Sequence, residues 1–149
     1  VQTCALPIYA KVFYNLLEQV SGQNLQVDGT YPVELFPDIL DHLRSAQHNE
    51  YQEWDHDYAG FSRTAQEEGF PEIAHIFSMI AGIEKTHGDR FGKFAELLEQ
   101  DKLFVSDVQV KWMCLNCGQI IDATMAPAVC PVCKHPQGYF IRWEMAPFE

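Results

Sequence analysis

Four of the five cysteines stand in two C-x-x-C pairs, Cys114 with Cys117 and Cys130 with Cys133, and twelve residues separate the pairs. Each pair can form a knuckle that turns two thiolates toward one ion. Two knuckles close a tetrahedral four-sulfur site. That geometry suits iron or zinc and by itself does not choose between them. An odd cysteine count with this pairing argues for a metal site in a reducing cytoplasm rather than a disulfide framework. Cys4 stands alone and is given no role.

A second set of donors lies earlier in the chain. Glu50 and Glu53 are three residues apart, as are Glu84 and His87, so each pair shares a helical face. Both pairs fall on apolar stripes. A carboxylate there is costly unless it is paired or bound to metal. A Glu-x-x-His helix facing glutamates on another helix is the donor arrangement of di-iron carboxylate bundles. Taken one pair at a time, solvated helix faces would explain the same residues.

Two long helical patterns must position these donors. One runs from about Pro37 to Glu68 with Ile39, Leu40, Leu43, Ala46, Trp54, Tyr58, Phe61 and Ala65 on its stripe. The next runs from about Pro71 to Gln100, with Ile73, Ile76, Phe77, Ile80, Ile83, Phe91, Phe94 and Leu98. Gly69 suits a helix end and Pro71 a helix start, so the two form a short-turned antiparallel hairpin. At 1.5 Å per residue, Glu53 and His87 each lie about 24 Å from that turn. Glu50 and Glu84 are within a turn of the same height. Before the hairpin come a short helix at 10–20 and a polar loop at 21–32. From Leu103 the texture changes to short β-type stretches broken by Cys, Gly and Pro, a second small domain that depends on its metal.

The bulk composition narrows the function. The chain has 149 residues, is 47% hydrophobic and carries a formal net charge of −11. A real core is possible, and such a charge repels phosphate backbones and anionic membranes, so neither nucleic acid nor membrane is an expected partner. No apolar run is long enough to span a bilayer, and the first residues do not read as a secretory signal.

The segment WMCLNCGQI with APAVCPVCKHPQGYF resembles the rubredoxin domain at the C-terminus of rubrerythrins, over about residues 110–142. NEYQEWDHDYAGFSRTAQEEGF and GFPEIAHIFSMIAGIEKTHGDRF are similar to the third and fourth helices of rubrerythrin bundles. The resemblance implies a mainly α chain with a small β domain. A partial ferritin-like bundle over 9–102 would be followed by a rubredoxin-like Fe(Cys)4 domain over 103–149. By the same match Glu50 and His87 would bind one iron, Glu84 would bridge two, and Glu53 would bind the second in a redox-dependent way. Tyr58 would hydrogen-bond a ligand near the cluster. His42, His48, His56 and His75 match no ligand and read as surface residues.

The family's first helix, which supplies a further glutamate, has no counterpart here. Its second supplies another Glu-x-x-His, and YAKVFYNLLEQV looks like the end of that helix, with Leu6 and Tyr9 where Glu and His would stand. Residues 1–8 read as a leader foreign to the family, similar to a translated sequencing adapter, which would make the chain a truncated reading. The activity implied is reduction of hydrogen peroxide to water, with electrons passing from an NAD(P)H-dependent reductase through Fe(Cys)4 to the di-iron site of a homodimer. Two copies paired about a two-fold axis would place both sets of helices around one core. The alternatives are an iron-binding relay without peroxidase turnover and a structural zinc ribbon.

Overall fold

A computed structural model describes residues 2–24 and 26–146; for residues 2–7 and 19 it describes the backbone alone. The side chains of leader residues 1–7, Cys4 and Leu6 among them, therefore lie outside what is described. Helix α1 spans Gln2–Leu16 and ends in a single 3-10 turn, Glu18–Val20. The helix expected at 10–20 thus starts earlier and stops sooner. Among the described residues no helix or strand follows until α2, Ile39–Gln52, whose first turn is capped by Asp38 Oδ1 accepting from the Leu40 N–H at 2.8 Å.

The single helix expected from Pro37 to Glu68 is interrupted. A five-residue π-helical turn, Glu53–Asp57, separates α2 from α3, Tyr58–Glu67. Such a turn holds one residue more than an α-turn, which rotates the following side chains by roughly 100°. Phe61, expected on the buried stripe, is 52% exposed. α3 closes as expected. Gly69 takes φ +86°, and the Phe70 N–H reaches back to Ala65 O at 2.8 Å. α4 then begins at Pro71 and runs to Glu99.

The chain divides into two compact units, residues 1–35 with 51–85 and residues 36–50 with 86–149. The division crosses α4 between Lys85 and Thr86, inside one continuous helix. In the first unit Phe13 of α1 packs on Phe77, which also meets Tyr58 and Phe61. Ser62 Oγ donates to Ala74 O at 2.8 Å.

The buried face of α4 is not the stripe of large residues. Ala74, Ala81, Gly88, Gly92 and Ala95 are buried, and of the stripe Ile80 alone is; Ile83 is 42% exposed and the others are half-buried. At Gly92 an added Cβ would overlap the side-chain amide of Gln47 on α2, so a larger residue there requires Gln47 to move.

In the second unit Arg44 pairs with Glu99 at 2.6 Å, and the C-terminal residues form a three-stranded antiparallel sheet. β1 spans Val105–Cys114, β2 Ile120–Met125 and β3 Phe140–Arg142, in the order β2-β1-β3. The register pairs Cys114 with Phe140 and Trp112 with Ile121 and Arg142. Trp112, Cys114, Ala126, Cys130 and Phe140 form the buried core of this part, so two metal-ligand candidates are core residues. The texture change read at Leu103 falls between the end of α4 and the start of β1. Among the described residues no helix is long and apolar enough to cross a membrane.

Candidate metal centres

The four-cysteine centre is built by two turns of the same design. β1 ends at Cys114 and turns through Cys117; the Gly118 N–H donates to Cys114 O at 2.8 Å, and the Cys114 N–H to Gln119 O at 2.9 Å. In the second turn the Lys134 N–H donates to Cys130 O at 3.0 Å, and the Cys130 N–H to His135 O at 2.8 Å. Each knuckle needs a left-handed residue after its second cysteine. Gly118 supplies it at φ +77° and Lys134 at φ +63°.

All four cysteines are free, and their sulfurs converge: Cys114 Sγ is 3.6 Å from Cys133 Sγ, and Cys117 Sγ is 3.7 Å from Cys130 Sγ. A disulfide needs about 2.05 Å. A tetrahedral ion with metal–sulfur bonds of about 2.3 Å needs sulfurs about 3.8 Å apart. The spacing therefore fits a four-sulfur metal site and not a pair of bridges.

The electrostatics of the turns favour thiolate at one corner. The His135 backbone N–H, outweighing burial, lowers the Cys133 thiol to about 5, with help from Cys117, Cys130 and Asn116. At Cys117 the Gln119 N–H pulls down, but burial and the three neighbouring sulfurs outweigh it and push the thiol up to about 12. A bound cation would displace the remaining protons. His135 also stacks edge-on against Tyr139 at 4.4 Å, with Nδ1 3.2 Å from Cys133 O.

The second centre lies on the hairpin. Donor atoms of Glu50, Glu84 and His87 all fall within 4.8 Å of one another. His87 Nδ1 is 3.4 Å from Glu50 Oε2. Glu84 precedes His87 by one turn of α4, so the helix itself aligns them. Glu84 is 3% exposed and Glu50 7%, while His87 is half-buried. Two buried carboxylates and an imidazole converging on one point are a hard-cation donor set that suits iron.

Glu53 is not brought into this group. It is exposed and stands at the first residue of the π-helical turn. Tyr58 is half-buried among Phe61 and Phe77, with ring centroids 6.0 and 6.1 Å away. Asp57 pairs with the exposed His56 at 2.8 Å, and His48 and His75 are exposed. His42 is half-buried instead; its Nε2 lies 2.8 Å from Phe36 O, so that nitrogen donates, and its ring packs edge-on against Phe36.

Arg142 went unmarked in the sequence. Its Nη2 donates to Val105 O at 2.7 Å and Lys102 O at 3.1 Å, and its guanidinium lies over the Trp112 ring at 5.6 Å. It ties the exit of α4 to the strands that carry the cysteines. The available signal was a lone arginine following the apolar run Tyr139, Phe140 and Ile141.

A four-sulfur knuckle site on a small sheet, with a carboxylate–imidazole set on a helical hairpin, defines a non-haem iron protein with a rubredoxin-like domain. Residues 8–95 match the family described as Rubrerythrin, and residues 112–141 match Rubrerythrin, rubredoxin-like domain. The chain is 44% identical over 133 residues to rubrerythrin of Clostridium perfringens, covering 89% of this chain and 68% of that protein. It is 37% identical over 132 residues to rubrerythrin of Porphyromonas gingivalis, covering 89% of this chain and 64% of that protein. A solved structure of partially reduced nigerythrin aligns at 23% identity with a TM-score of 0.48, covering 87% of this chain and 60% of that one. The chain belongs to the rubrerythrin family.

Proposed function

We propose that this chain reduces hydrogen peroxide to water, with the four-sulfur site as the electron relay and the Glu50, Glu84 and His87 site as the place of reduction. The observation that carries the reading is the presence of both donor sets on one chain of this family. When bound, iron supplies a one-electron carrier at the thiolates and the redox chemistry for the O–O bond at the carboxylates.

The protein's part is to hold, to screen and to exclude. Cys114 and Cys130 are fully buried and Cys117 is exposed, so the relay site has one open edge for electrons to enter. Leu115, Val132 and Tyr139 are exposed around it. Glu84 and Glu50 place two carboxyl groups in a site largely closed to water. Each peroxide takes two electrons and two protons to give two waters. The donor we propose is an NAD(P)H-linked reductase of the cytoplasm, with a basic face to match a chain of net charge −11. The working unit is a homodimer.

The test is anaerobic. The iron-loaded chain is reduced chemically, which bleaches the thiolate–iron colour, and then given hydrogen peroxide. Colour should return within seconds at half an equivalent of peroxide per electron stored. Glu84→Ala should keep the colour and lose its fast return. Equal rates of return in the two proteins would place peroxide reduction elsewhere.

A further inference from the structure

Beside the carboxylate and histidine donors lies a group of side chains that the reaction as described leaves unused. Tyr51 follows Glu50 in α2, and Trp54 follows it by four residues, in the π-helical turn. Their rings meet edge to face, with centroids 5.7 Å apart. Lys85, the residue after Glu84 in α4, sets its Nζ 5.2 Å from the centroid of the Trp54 ring. All three side chains are half-buried.

The two rings stand in different relations to the donors. Four helical residues put Trp54 about 6 Å along the axis from Glu50 and about 40° around it, so the two share a face. The contact with Lys85 directs that face toward α4. Tyr51 is turned about 100° from Glu50, to the side of the donor face. Indole and phenol rings give up an electron far more readily than a phenyl ring. Tyr58 meets phenyl rings, those of Phe61 and Phe77, whereas Tyr51 meets an indole. A cation over the indole face holds the electrons of that ring more firmly. An electron vacancy on Trp54 is therefore passed on to Tyr51, which can also shed its phenolic proton.

We infer that Trp54 and Tyr51 are a one-electron donor to the Glu50, Glu84 and His87 site, with Trp54 as the bridge, Tyr51 as the terminus and Lys85 setting their order. This rests on peroxide being reduced at that site, as the proposed function holds. Each peroxide takes two electrons. When the site holds only one and the relay is spent, Tyr51 gives the second through Trp54. The O–O bond breaks, and two protons complete two waters, one matching the proton released by the phenol and one from solvent. Tyr51 is left as a neutral phenoxyl radical, which one electron and one proton restore when the relay is reduced again.

The test takes the iron-loaded chain reduced to half its electron capacity. It is mixed with hydrogen peroxide, freeze-quenched and read by electron paramagnetic resonance, with peroxide loss followed in parallel. A tyrosyl spectrum should appear, and tyrosine deuterated on the ring should narrow it. Tyr51→Phe and Trp54→Phe should each remove it, and Tyr58→Phe should leave it. Lys85→Met should shift part of the signal from tyrosyl to tryptophanyl. Peroxide consumed without any organic radical, or a radical that survives Tyr51→Phe, overturns the pair and leaves the site of reduction standing. Peroxide left unconsumed overturns both.

Discussion

Glu84→Gln should change stability in opposite directions with and without metal. Glu84 is 3% exposed and its donor oxygen lies within 4.8 Å of one from Glu50, itself 7% exposed. Two unit charges at that separation or closer repel by about 3.5 kcal/mol or more at an effective dielectric of ~20. His87 Nδ1, 3.4 Å from Glu50, offsets part of this. Removing one charge while keeping shape and hydrogen-bonding capacity should stabilise the metal-free protein by about 1–2 kcal/mol, or roughly 2–8 °C in melting temperature. With metal at ~100 times its dissociation constant, the natural site should gain about 2.7 kcal/mol and the variant should gain nothing there. The assay is helical ellipticity on heating, for both proteins, after chelation and then with metal restored. The order of the melting temperatures should reverse. If the variant melts lower in the metal-free state, the Glu84 carboxylate supports the fold and the argument from repulsion fails.

Other consequences can be checked separately. Cys130→Ser removes a fully buried ligand, so residues 103–146 should lose their sheet while α2–α4 keep theirs, read as loss of dispersed β amide resonances. Metal affinity of the four-sulfur site should rise at least tenfold per pH unit between pH 6 and 8. Cys133 is already ionised there and Cys117 still holds a proton that the metal must displace; a competing chelator reads this, and a flat profile would contradict it. Gly69→Ala meets no neighbour within 4 Å but must hold φ +86°. It should cost about 1 kcal/mol in urea unfolding. Arg142→Met removes two carbonyl contacts and a ring contact at a partly exposed site, and should cost about 2 kcal/mol in the same assay without shifting the thiolate–metal bands.

The four-sulfur site was fully legible because its rule is local. C-x-x-C spacing and the residue after each pair determine the turn, and the turn determines where the sulfurs go. Lys134 in the left-handed position shows that the second turn holds its form without glycine. The hairpin was legible at its ends, where Gly69 and Pro71 act through the backbone. Its interior was less so. Periodicity put Glu50, Glu84 and His87 on core faces, and the structure brings their donor atoms within 4.8 Å of one another, one turn of helix separating the last two. It could not foresee the π-helical turn at Glu53–Asp57, which shifts register without any Gly or Pro to mark it. It also favoured large apolar residues as the buried face of α4, whereas Gly88, Gly92, Ala74, Ala81 and Ala95 are buried there. Arg142 acts through carbonyls far off in sequence, which no local pattern reports.

The central claim is that one chain carries two chemically different iron sites. Mössbauer spectroscopy of the chain loaded with iron-57 tests it directly. Two iron populations are expected in the same sample, one sulfur-ligated and tetrahedral, the other ligated by oxygen and nitrogen. Glu84→Gln should remove the second and leave the first. A single sulfur-ligated population in the natural chain would contradict the account.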